Sequence, residues 1–306
     1  MTRSQNISAS ANLSCFFAMV LWAAGFIAAE YLFETWGSLS MLSVRLVASM
    51  GFLLCWWGMT EDWFVILNSP WKEGIKVGAI GWGLGGILLL IGQQLSDPVT
   101  TTIVVAMMPI AAAVIELIWD GRSLTRRLIF GIILAITGGY LATGLSIEDG
   151  DYSFGVFLCL AAIFLFAWAT RTTTRRFNRL TYTGQATITM AGGMFITLIC
   201  HMIALMAGSP LAEVGDINSD NITALIVFAL PSAAIAQLFW IWGAGKLGIL
   251  LASVHMNAVP FYVMSLAVLL GTTEWRWIQA IGAGIIVIAV FVSQRGSRSN
   301  YQEKSE

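Results

Sequence analysis

VTTTIVVAMMPIAAAVIELIW, residues 99–119, and ILLASVHMNAVPFYVMSLAVLLG, residues 249–271, decide the fold. Each is long enough to cross a bilayer as a helix, which takes about 20 apolar residues. Each also carries a proline near its middle, Pro109 and Pro260. Proline removes a backbone donor and kinks or breaks a helix. Membrane helices absorb that defect because neighbouring helices re-satisfy the freed groups. The two prolines stand 151 residues apart in a chain of 306, so one defect recurs at half-chain spacing and points to an internal repeat.

Composition extends the membrane reading to the whole chain. Hydrophobic residues make up 58% and charged residues 11%, against roughly 25% charged in soluble domains. Apolar runs predict an all-α membrane protein with ten transmembrane helices, over 12–33, 38–59, 74–95, 99–119, 127–146, 153–170, 181–207, 222–244, 249–271 and 276–293. The connections are short and leave no room for a soluble domain. Alternating segments of about ten residues, the mark of a membrane β-barrel, are absent. Cys15, Cys55, Cys159 and Cys200 all lie in apolar runs without CxxC or Cys/His spacing, so no metal and no cofactor is expected. A net charge of −1 leaves no nucleic-acid footprint. The first run follows a lone Arg3 and is about 20 residues long, which reads as a retained helix rather than a cleaved signal. Three NxS/T triplets, at Asn6, Asn12 and Asn221, read as chance in a bacterial chain.

Basic residues near helix ends stay cytoplasmic. Of the sixteen lysines and arginines, Arg45 falls inside a span and Arg276 on one side of the membrane; the other fourteen share the opposite side. They fall at the N-terminus, in alternate loops and in the tail. That distribution places both termini in the cytoplasm of a bacterial inner membrane, with tails 1–11 and 294–306.

The offset of 151 also superposes Gly131 on Gly282, Gly92 on Gly243, Gly81 on Ser232 and Gly85 on Ala236. Trp22-Ala23 and Trp168-Ala169 match at a slightly shorter offset. The chain therefore divides into units 12–146 and 153–293. Five spans is an odd number, so two such units enter the membrane from opposite sides as inverted repeats. Secondary transporters are commonly built this way, with the substrate site near the midplane between repeats.

The sequence resembles the ten-helix branch of the drug/metabolite transporter superfamily, with two EamA-type repeats. The resemblance rests on Trp22 and Trp168, on Arg45, and on Pro109 and Pro260, each followed by a glycine-bearing helix (Gly131, Gly138 and Gly139; Gly282 and Gly284). Glu274 after Gly271 matches an acidic turn of the family, where the first half has Asp120-Gly121-Arg122 instead. The resemblance covers residues 12–293. It implies a cavity lined by helices 1, 3, 4, 6, 8 and 9, and a carrier that in many relatives exports amino acids, amines, nucleosides or drugs.

Candidate site residues follow from chemistry and depth. Pro109 and Pro260 are kinks, either for packing or as hinges. Arg45, ionisable and deep, is either paired with Glu30 or a substrate-binding arginine. Glu116 pairs with nearby arginines or couples protons. His255 and Asn257, before Pro260, either titrate in the cavity or bond helix to helix. Gln93, Gln237, Trp240 and Tyr262 are candidate wall residues. Trp22, Trp82 and Trp168 lie deeper than the interfacial belt and are either core or an aromatic pocket for a planar ring or quaternary ammonium.

The expected partners are a small-molecule substrate and the lipid bilayer; a homodimer is compatible with the sequence. A Walker A sequence is absent, so ATP is not the direct energy source. HExxH, GxSxG and paired intramembrane aspartates are absent too, which argues against an intramembrane enzyme. A channel lacks its filter segment here. The functional expectation is an amino-acid exporter, with carriage of a quaternary amine, nucleoside, flavin or drug as the alternative.

Overall fold

The computed structural model describes residues 3–121, 126, 129–131, 133–134, 137–138 and 150–294. Every regular element among them is helical. Among the described residues eight helices are long and apolar enough to cross a membrane: α1 (Ala9–Leu32), α2 (Ser38–Thr60), α3 (Trp71–Leu95), α4 (Pro98–Asp120), α5 (Ser153–Arg176), α6 (Tyr182–Met206), α7 (Ser219–Leu247) and α8 (Ile249–Leu269). A shorter apolar helix, α9 (Trp277–Ala289), follows. The fifth expected span, 127–146, lies mostly outside the described residues, as does the C-terminal tail. One boundary needs correcting. The sixth expected span stops at residue 170, whereas α5 runs on through Arg171 and Arg175 because those arginines are held by Asp120 of α4.

The defects repeat with the sequence. α3 carries a π-helical turn at Ala79–Leu84 and α7 carries one at Leu230–Ile235, again 151 residues on. α4 breaks at Ala106–Met107 and restarts at Met108; α8 winds through a 3₁₀ segment, Ser253–Ala258, and restarts at Val259. Met108 and Val259 are also 151 apart. Pro109 and Pro260 therefore sit in the first turn of a restarted helix, where the missing N–H has no intrahelical partner to lose. They mark breaks, as expected, with a local reason for their stability.

Packing is reciprocal between the halves. α3 of the first half lies along α5 of the second, α7 of the second lies along α1 of the first, and α2 meets α6. Gly92 of α3 faces Cys159 of α5, while Gly243 of α7 faces Cys15 of α1. Gly81 touches Ala169, and its counterpart Ser232 touches Gly25; a Cβ on either glycine would overlap its neighbour. Such small-residue contacts let membrane helices approach closely. They also correct the register of the first helices. Cys15 corresponds to Cys159 and Gly25 to Ala169, an offset of 144. Trp22 is thus the counterpart of Phe166, and the Trp22–Trp168 match is two residues out of register.

Candidate functional site

The central cavity lies where α1, α2, α3, α5 and α7 converge, with Met108 of α4, Met190 of α6 and Met256 of α8 completing its lining, and encloses about 110 Å³. This is small for a ligand site, where drug-sized pockets run to roughly 300–1,000 Å³. Six of the expected residues line it: Trp22, Arg45, Trp82, Gln93, Gln237 and Trp240. Its aromatic wall is continuous. Trp82 stacks on Phe166 with ring centroids 5.5 Å apart, Trp22 meets Phe166 edge-on at 6.4 Å, and Trp22 meets Phe26 at 5.2 Å. Trp240 donates its indole N–H to Thr170 Oγ1 at 3.1 Å, which fixes the ring across α7 and α5. The indole N–H of Trp82 is buried without a protein acceptor.

Arg45 does not pair with Glu30. Its Nη2 donates to the Ser232 carbonyl at 3.3 Å, and its Cζ lies 4.1 Å from the centre of the Phe228 ring. The cause is the π-helical turn of α7. A π turn and Pro231 loosen the i→i−4 ladder of α7, and helix α2 supplies donors there. Ser49 Oγ donates to the Ala229 carbonyl at 2.8 Å, one turn away from the Arg45 bond. Arg45 spends one hydrogen bond and one ring face on this task, and it lines the cavity.

Glu30 accepts instead from Gln93. Gln93 is 2% exposed, and its Nε2 donates both to the Phe26 carbonyl at 2.9 Å and to Glu30 Oε2 at 3.2 Å. Two acceptors on Nε2 fix the amide orientation, so the group left to the cavity is Oε1.

The other expected site residues lie elsewhere. His255 Nε2 is 3.0 Å from Asn12 Oδ1, and Tyr262 packs edge-on against Phe16 at 6.0 Å, so both face α1 away from the cavity. Met256 is the α8 residue at the cavity. The 3₁₀ segment explains the shift: it has 3.0 residues per turn instead of 3.6, which over its six residues rotates the faces by about 120°. Asn257 is buried with neither amide atom hydrogen-bonded, and it too lies off the cavity lining. Trp168 packs into the core, because two residues past Phe166 an α-helix has turned by about 200°. Glu116, half-buried on α4, lies below the cavity, where its charge acts on Arg171.

Phe166, Phe228 and Ser232 are cavity residues that single-residue chemistry did not single out. Phenylalanines carry no chemical signal in so apolar a sequence; the repeat offset of 144 would have found Phe166 as the counterpart of Trp22.

Helices in two interlocked inverted repeats, closing on an aromatic cavity with one arginine, define a multi-pass membrane protein of the transporter type. The sequence profile of the EamA-like transporter family matches residues 9–144 and again residues 153–294, and the chain belongs to that family. It is 25% identical over 245 residues to the uncharacterized transporter YyaM of Bacillus subtilis (strain 168), covering 76% of each chain. It also superposes on a protein of known crystal structure with a TM-score of 0.71 at 17% identity, over 95% of this chain and 98% of that one; this likeness concerns the fold.

Proposed function

We propose that this transporter exports amino acids with aromatic or hydrophobic side chains across the inner membrane by alternating access. On this reading both termini lie in the cytoplasm, which the distribution of basic loop residues supports. The observation that carries the reading is the pairing inside one cavity of a guanidinium, Arg45, with an aromatic wall, Trp22–Phe166–Trp82. A carboxylate suits the donors of Arg45 not used on Ser232, since arginine binds carboxylates through parallel N–H bonds. Gln93 Oε1 suits an ammonium, because its amide is held with the oxygen as the free group. The rings then take the side chain. A cation of quaternary-amine type would meet the same rings but also the Arg45 charge, which disfavours it.

Counterflow into proteoliposomes tests the reading. Vesicles preloaded with unlabelled phenylalanine should take up labelled phenylalanine and leucine, and should not take up labelled choline or uridine. Exchange of choline or uridine without any amino acid would replace this substrate class.

A further inference from the structure

A groove of about 600 Å³ opens on the side of the bundle, between the start of α1, the end of α2, the start of α6 and the end of α7. Helix α2 meets α7 along Ser219–Ile235 and parts from it along Ala236–Leu247, which leaves this space. Leu13 and Phe17 of α1, Trp56 of α2 and Phe239 of α7 line it, and all four are exposed, so its wall is apolar and faces the bilayer. From Ser10 to Phe17 the groove follows α1 for about 10 Å, at 1.5 Å per residue. The other half fills the equivalent place with its own chain. Ile87, 151 residues before the groove residue Leu238, packs against Leu39, Ala204 and Ala212, the last from the 3₁₀ turn Pro210–Ala212.

Two opposite charges flank the mouth of the groove. Lys246, exposed at the end of α7, holds its Nζ 5.5 Å from the centre of the Tyr182 ring and forms no ion pair among the described residues. Trp242, one turn earlier on the same face of α7, meets Tyr182 edge-on at 6.5 Å. Glu61, just past the end of α2, accepts a hydrogen bond from the Thr181 hydroxyl. Thr181 and Tyr182 both line the groove, and consecutive Cα atoms are about 3.8 Å apart. A cation and an anion thus attend neighbouring residues of one rim. Tryptophan and tyrosine gather at the membrane–water interface. Trp63 and Phe64 of the short helix Trp63–Leu67 are also exposed at this end, just beyond Glu61. The apolar wall therefore lies at hydrocarbon depth and the two charges at headgroup depth.

We propose that the groove binds one phospholipid of the phosphatidylethanolamine type, a zwitterion with a primary ammonium. The phosphate meets Lys246, the ammonium donates to Glu61, and one acyl chain lies along Leu13, Phe17 and Phe239 against Trp56. A charge-assisted hydrogen bond from the ammonium to the carboxylate is the selective contact. Phosphatidylcholine carries the same charges but no N–H to donate. Phosphatidylglycerol satisfies Lys246 but brings no cation to Glu61. The lipid fills at this end the space between α2 and α7 that the Pro210–Ala212 turn helps to fill at the other. Its binding is independent of the transported substrate.

Native mass spectrometry of the purified full chain in detergent tests this, by titration with phosphatidylethanolamine, phosphatidylcholine and phosphatidylglycerol of identical acyl chains. Wild type should take up one phosphatidylethanolamine more tightly than either other lipid. Lys246→Gln should weaken phosphatidylethanolamine and phosphatidylglycerol alike, by roughly threefold to fivefold, as loss of one partly solvated ion pair does. Glu61→Gln should weaken phosphatidylethanolamine alone and so erase its advantage over phosphatidylglycerol. A general loss of fold would not produce that change of selectivity. Leu13→Trp, which fills the exposed wall, should weaken all three lipids, whereas Lys72→Gln at the start of α3 should alter none. Phosphatidylglycerol bound as tightly as phosphatidylethanolamine in wild type overturns the proposal in favour of an anionic lipid. Equal retention of all three lipids, indifferent to Leu13→Trp and Lys246→Gln, overturns it in favour of ordinary boundary lipid, and so does retention of none.

Discussion

Arg45 is held by a carbonyl and a ring on α7 rather than by a carboxylate. Its charge is therefore not neutralised by a fixed counter-ion, and on the proposed amino-acid reading a substrate carboxylate takes that role. Replacing it by glutamine should cost the charged hydrogen bonds to substrate, about 1.5–3 kcal/mol, which is roughly 10- to 150-fold in half-saturating concentration. Lysine should restore only part of this. An ammonium keeps the charge but loses the planar face against Phe228 and the fork for a carboxylate. Equal affinities in wild type and Arg45→Gln, read by counterflow, would reduce Arg45 to a brace for the π turn. Trp240 makes the contrasting case. Trp240→Phe removes one hydrogen bond to Thr170 and should lower stability by about 1 kcal/mol. Thermal unfolding in detergent would register that loss, while the ring remains in the cavity. The cavity residues legible in sequence were those whose chemistry is costly in a membrane, Arg45, Gln93 and Gln237, with Trp22, Trp82 and Trp240 but not Trp168. Phe166 and Phe228 were illegible because an apolar ring in an apolar chain says nothing about which way it faces.

Helices show the same division between what pattern reveals and what it hides. Length and apolarity located the spans that fall within the described residues, and Pro109 and Pro260 announced the breaks in α4 and α8. What the pattern could not announce was the type of winding after or before each break. The 3₁₀ segment Ser253–Ala258 turned His255, Asn257 and Tyr262 off the cavity and brought Met256 to it. The π turns at Ala79–Leu84 and Leu230–Ile235 likewise left no mark in composition beyond small residues and Pro231. Register between helices is open to a direct test. Gly81→Ala should overlap the Ala169 methyl, and Gly25→Ala should overlap Ser232. Each should cost about 1–3 kcal/mol, as overpacking does. Ala169→Gly should rescue the first and Ser232→Gly the second, and crossed combinations should add without rescue. Unfolding temperatures of the two double-mutant cycles would check this. A cycle without coupling would break the proposed equivalence of α1 with α5.

At the scale of the whole molecule the two halves are alike in packing and unlike in charge. Asp120, at the end of α4, accepts hydrogen bonds from Arg171 Nε at 2.9 Å and from Arg175, so one ionic cluster ties the first half to the second. The side chains of Asp120 and Arg171 are 19% and 15% accessible, but Asp120 as a residue is exposed at the end of α4, so solvent partly screens the pair. The residue 151 positions on from Asp120 is Gly271, which has a left-handed backbone and no side chain to offer. Among the described residues the opposite end of the bundle shows no counterpart of this cluster, and contacts such as Gly37 N–H to the Glu213 carbonyl, at 2.9 Å, join the halves there. If the halves rock on one another, opening the Asp120 end has to break the ionic cluster, whereas among the described residues no such cluster has to break at the other end. Asp120→Asn should then shift the resting population towards the state open at that end, by up to about 1 kcal/mol for a solvent-screened pair. A single cysteine at Ala18, beside the cavity, should be labelled faster from that side in right-side-out and inverted vesicles compared pairwise. Labelling rates indifferent to Asp120→Asn would mean that the cluster fastens α4 to α5 in every state, and that the asymmetry of the two ends has no part in gating.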